Sequence, residues 1–131
     1  MNSHNVPMDI PPALAEQALE KMGFRAYPAV SESGLGHIYQ AWCRSVPFDN
    51  IRKRIQVSQG IQGALPGFTP EDFFSHWLRF GTGGTCWASH GALYALLKAV
   101  GFPVQFGLST MRSPRPVSAD SPGHGTLFVP L

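Results

Sequence analysis

Apolar positions recur along the chain with two periods, and the change from one to the other divides it. Leu14, Ala18, Leu19 and Met22 fall at helical spacing after Pro11 and Pro12, which suit a helix start, and Gly23 stops the run. Leu35, Ile38, Tyr39, Trp42 and Cys43 fall at i, i+3, i+4, i+7 and i+8, so a second helix is expected with Cys43 on its apolar face as a core thiol. Pro47 breaks that helix. Phe73, Trp77 and Phe80 give a third helix an aromatic face, with Thr69 as N-cap and Pro70 in the first turn. Leu93, Leu96, Leu97 and Val100 mark a fourth, closed by Gly101. Between the second and third helices, the basic cluster Arg52-Lys53-Arg54 reads as part of a solvated turn. Residues 56–68, with three glycines and a proline, read as loop.

After residue 102 the period shortens to two. Val104, Phe106 and Leu108 alternate with polar neighbours and predict a strand over 104–111. A loop rich in proline and serine follows, and a second strand is expected over 124–129, opening on His124. Helices first and strands afterwards give an α+β chain, with antiparallel pairing of the two strands. The expected division is a helical bundle over 1–102 and a sheet-forming part over 103–131.

The stretch around Cys86 concentrates the candidate chemistry. Gly81, Gly83 and Gly84 precede the cysteine and the fourth helix begins at once. A thiol there faces unpaired backbone N–H groups and the positive end of the helix dipole, which favour the nucleophilic thiolate. Glycines without Cβ atoms let a reactant approach the sulfur closely. His124, at a strand start after a long loop, is the candidate base, since a Cys–His pair needs adjacency in space and not in sequence. His37 lies off its helix's apolar face and His76 beside its aromatic face, and both read as solvated or packed side chains. Cys86 and His90, four apart, could share a metal, but no second ligand pair accompanies them and no metal is expected.

Composition narrows the class. The chain of 131 residues is 44% hydrophobic and only 14% charged, which argues for one ordered domain with a real core and against disorder. A formal net charge of +2 gives no reason to expect nucleic acid. No run approaches the length of a membrane span, and the first nine residues lack the apolar core of a signal peptide, so the expectation is a cytoplasmic protein with reduced thiols.

Thr82-Gly83-Gly84-Thr85-Cys86 resembles the Arg-Gly-Gly-x-Cys motif of the arylamine N-acetyltransferases, and Val46-Pro47-Phe48-Asp49-Asn50 resembles that family's Ile-Pro-Phe-Glu-Asn segment. Tyr94 to Phe102 is similar to the helix and turn after the family's cysteine, and His124 falls at the family's cysteine-to-histidine spacing. The resemblance runs from about Leu14 to the end of the chain. It implies the family's helical bundle and the first strands of its antiparallel β-barrel, with a Cys–His arrangement like that of the cysteine proteases. It also implies ping-pong acetyl transfer from acetyl-coenzyme A, a co-substrate that is not tightly bound, to an arylamine or arylhydrazine. On that likeness Cys86 is the nucleophile, His124 its base and Phe48 a wall of the acceptor pocket.

Three positions depart from the family pattern: Thr82 stands for arginine, Ala88 for glutamate and His90 for asparagine. The family's third triad residue is an aspartate after the histidine. None follows His124 here, and Asp120 precedes it in the wrong order. The expectation is therefore a dyad with impaired activity in this short chain. Two other readings stay open: a catalytically silent binding or dimerisation module, and another thiol acyltransferase or amide synthase on the same scaffold. Unpaired strand edges would also recruit a second copy into a homodimer.

Overall fold

The structure, a computed structural model, describes residues 8–110 and 124–131. The expected arm before residue 8, the strand's end at Met111 and the loop holding Asp120 lie outside the described residues. Five helices come first: α1 (Pro12–Lys21), α2 (Glu32–Ser45), α3 (Ile51–Ser58), α4 (Pro70–Phe80) and α5 (Cys86–Val100). Two strands follow, β1 (Gln105–Ser109) and β2 (His124–Phe128). None of these helices is long and apolar enough to cross a membrane.

Local signals set most boundaries. Ser31 caps α2 by accepting from the Gly34 N–H, and Thr69 caps α4 by accepting from the Asp72 N–H at 3.2 Å. Gly81 and Gly101 close α4 and α5 in the left-handed region, with φ of 75° and 114°. The core between α1, α2, α4 and α5 is aromatic at its centre. Trp42 stacks on Phe73 at 6.0 Å, and Phe74 meets Phe73 and Trp77 edge-on at 5.7 and 6.2 Å. The buried Trp77 indole donates to the Ser45 carbonyl, and Lys21 donates to the Trp77 carbonyl, which fastens α4 to α2 and α1.

Two expectations are corrected here. Residues 51–58 form a helix and not a turn, and no residue of α3 is buried. It is held by polar contacts: Arg52 pairs with Asp72 at 2.8 Å. Burial works to raise Asp72, but bonds from the Arg52 guanidinium and the Gly67 N–H, with the Arg52 charge, hold its carboxyl below the usual range. Cys43 is exposed and is not a core thiol. The buried stripe of α2 runs through Gly34, Ile38, Ala41 and Trp42. Cys43, nine residues on from Gly34, lies about 180° around the helix from it.

The strands pair antiparallel, from Gln105 opposite Phe128 to Ser109 opposite His124. This sheet lies on α5: Tyr94 stacks on Phe106 at 4.2 Å, and Leu127 and Val129 pack against the helical core. The described sheet has two strands only. Side chains alternate along the strands, so Leu108 shares the helix-facing side with Phe106 and Leu127, while the exposed Phe128 lies on the outer side.

Candidate functional site

The site begins where two distant segments run side by side. Phe48 and Gly84 form a parallel bridge, and the Asp49 N–H donates to the Gly84 carbonyl at 3.1 Å. The Asp49 carboxylate accepts from the Gly83 N–H at 2.9 Å and from the Ile51 N–H at 3.1 Å. So residues 46–50 clamp the glycine turn that precedes Cys86, largely through the main chain. The packing leaves no space for a side chain at Gly83, where a Cβ would fall 1.7 Å from the Pro47 carbonyl oxygen. Ser89, buried, ties the turn to the helix by donating to the Gly84 carbonyl at 3.1 Å. The Thr82 hydroxyl is buried in this turn without a partner among the described residues.

Cys86 is the first residue of α5 and is half-buried. The residue before it, Thr85, is positioned as an N-cap but makes no capping bond. Its hydroxyl instead accepts from the Lys53 ammonium at 2.5 Å. Among the described residues the first-turn N–H groups of α5 therefore have no side-chain acceptor, which leaves them open to an oxygen that gains negative charge beside the sulfur. Among the described residues no carboxylate lies within ion-pair distance of Lys53, so a half-buried cation borders the same helix start.

One turn further along α5, His90 lies on the same face as Cys86, and its Nδ1 sits 2.6 Å from the Cys86 carbonyl oxygen. The His124 ring packs on His90, with centroids 5.5 Å apart and planes at 79°. The next residue, Gly125, lies against the Trp87 indole: a Cβ there would sit 3.1 Å from it. The start of β2 thus arrives over the first turn of α5, bringing His124 to the helix that carries Cys86. Among the described residues no hydrogen bond joins the thiol to either imidazole.

Phe48 is 70% exposed, so it does not anchor the core. It lines a cavity of about 350 Å³ with Tyr39, Cys43, His90 and Leu93. Tyr39, His90 and Leu93 also line a second cavity, of about 570 Å³, that reaches Leu127 on β2. Volumes of this size hold a small ring-bearing molecule. His37 is exposed, and His76 contacts Asp72 on the far side of α4.

Sequence reasoning named Cys86, His124 and Phe48 as candidates but missed Lys53, His90 and Asp49, which lie around them. Lys53 was expected in a solvated turn, and its bond to Thr85 has no signal in the local pattern. His90 carried one: four residues after the cysteine on a helix is the same face. Asp49 was visible only as part of a motif.

A family model described as N-acetyltransferase, the arylamine N-acetyltransferase family, matches residues 33–131. No curated protein matches the chain.

Proposed function

Because the chain belongs to the arylamine N-acetyltransferase family, we propose that it transfers an acetyl group from acetyl-coenzyme A to an arylamine or arylhydrazine through a thioester on Cys86. The observation that carries this reading is the arrival of His124 over the first turn of α5, on the helix that begins with Cys86. In the first half-reaction the Cys86 sulfur attacks the acetyl carbonyl carbon. His124 holds the thiol proton and returns it to the departing coenzyme A sulfur. The carbonyl oxygen becomes an oxyanion, which the uncapped N–H groups of the α5 first turn stabilise. In the second half the acceptor nitrogen attacks the thioester carbon. His124 takes the nitrogen's proton and gives it to the Cys86 sulfur as the C–S bond breaks. Phe48 walls the acceptor cavity, as an exposed aromatic suited to stacking on a ring.

Incubation with acetyl-coenzyme A, followed by intact mass and peptide mapping, tests this. The expected result is one added acetyl group on the peptide containing Cys86, lost again when an arylamine is added. A chain that stays unmodified in fresh acetyl-coenzyme A overturns the reading.

A second reading, a binding or dimerisation module, draws on the exposed apolar side chains of the sheet, Leu108 and Phe128, which are 64% and 58% exposed on its two opposite faces. A two-stranded sheet also leaves free N–H and C=O groups on both edges. On this basis a second copy pairs along a strand edge as a homodimer. Sedimentation across a concentration series is expected to show a monomer–dimer equilibrium, and a single monomeric species at high concentration rules it out.

A further inference from the structure

A carbonyl oxygen can only accept, so the hydrogen in the 2.6 Å contact between His90 and the Cys86 carbonyl belongs to His90 Nδ1. This bond locks one end of the His90 ring to the backbone of the residue that carries the thiol. In the neutral ring it also leaves the lone pair on Nε2. The same ring packs nearly perpendicular to His124, an edge-to-face geometry that aromatic rings prefer because positive edge meets negative face.

Among the described residues His124 has little else to fix its ring. It is half-buried and opens a strand whose one partner is β1. Its main-chain carbonyl accepts from the Ser109 hydroxyl at 3.3 Å, but among the described residues its imidazole makes no hydrogen bond and no carboxylate lies within ion-pair distance. An imidazole that exchanges a proton with a thiol must keep its rotation, since small misplacements cost rate steeply.

We infer that His90 is a positioning residue: anchored on the Cys86 carbonyl, it holds the His124 ring in register with the start of α5. The anchor and the held ring then move together, because one bond ends on Cys86 itself. The catalytic consequence rests on the acyl-transfer reading above, while the ring contact itself does not.

Two substitutions separate the anchor from the contact. His90→Asn keeps an N–H able to reach the Cys86 carbonyl but removes the ring. His90→Phe keeps a ring against His124 but removes the N–H. The first readout is the NMR shift of the His124 ring protons, displaced by the ring current of an aromatic neighbour. The displacement is expected to vanish in His90→Asn and to persist in His90→Phe. The second is Cys86 acylation by acetyl-coenzyme A. The maximal rate is expected to fall about 10- to 100-fold in His90→Asn, with the half-saturating donor concentration unchanged, and to recover in part in His90→Phe, which keeps the ring contact without the anchor. Equal acylation rates in His90→Asn and the unmodified protein overturn the inference, as does a His90→Phe rate no better than that of His90→Asn. If the unmodified protein takes no acetyl group, the acyl-transfer reading fails, and the NMR shifts alone decide the contact: His124 protons unmoved by His90→Asn overturn it.

Discussion

Under the proposed acyl transfer, replacing Cys86 with alanine is expected to cost at least about 10³-fold in rate, as for removal of a covalent nucleophile. The thermal transition should hardly move, because Cys86 is half-buried at a helix start and the aromatic core lies elsewhere. Cys43 makes an internal comparison. It is the more exposed thiol, so accessibility alone would favour it as the modified residue. It sits inside the last turns of α2, without a free helix N-terminus beside it. Cys43→Ala should therefore still take up the acetyl group in the first half-reaction. His124→Ala should slow that step by about 10²- to 10⁴-fold, the range for loss of a positioned proton carrier. Acetylation mapped to Cys43 in the unmodified protein, or full turnover by Cys86→Ala, would sink the assignment.

Gly83→Ala should disrupt the site and remove much of the protein's stability with it. The new Cβ would lie 1.7 Å from the Pro47 carbonyl oxygen and 2.8 Å from its carbonyl carbon. Both are backbone atoms and cannot rotate aside as a side chain would. Relief requires the 46–50 segment to separate from the glycine turn. That movement breaks the Gly83-to-Asp49 and Asp49-to-Gly84 bonds together. The expected cost is about 3 kcal/mol, at the upper end for overpacking, with a fall in melting temperature of roughly 10 °C. Gly36→Ala is the matched control. Gly36 lies in α2, where an added Cβ would meet no atom within 4 Å, so alanine there should be neutral or stabilising by up to about 1 kcal/mol. A calorimetric scan of the two variants decides it, and equal melting temperatures would mean that the two segments do not touch in solution.

Four helices and both strands were legible because their signals are local. A Thr69 cap, a Pro70 start and glycines at 81 and 101 each act within a turn of the boundary they set. The same holds for the antiparallel pairing of β1 with β2. α3 was not legible, because it is short, its apolar Ile51 and Ile55 stay half-exposed among basic residues, and its contacts, Arg52 to Asp72 and Lys53 to Thr85, are polar and long-range. Cys43 misled for a geometric reason. The pattern was anchored on Leu35, whereas the buried stripe centres on Gly34, Ile38 and Ala41, and Cys43 lies on the opposite side of that centre. At the site, the residue types of Cys86 and His124 and their order could be read. The His90–His124 contact could not, since it depends on where β2 lands on α5.

The clamp between residues 46–50 and the glycine turn has a bearing on how such a site can drift in sequence. Its bonds are made by the Asp49 N–H, the Gly84 carbonyl and the Gly83 N–H, with a single side chain, that of Asp49, taking part. Atoms present in nearly every residue are not lost when side chains change. Position 82 can therefore exchange a long cation for threonine, at the expense of one unpartnered hydroxyl, without undoing the turn. Position 83 has no such latitude, because its constraint is the missing Cβ itself. The charge around the cysteine can therefore change while the shape of the loop that presents it cannot.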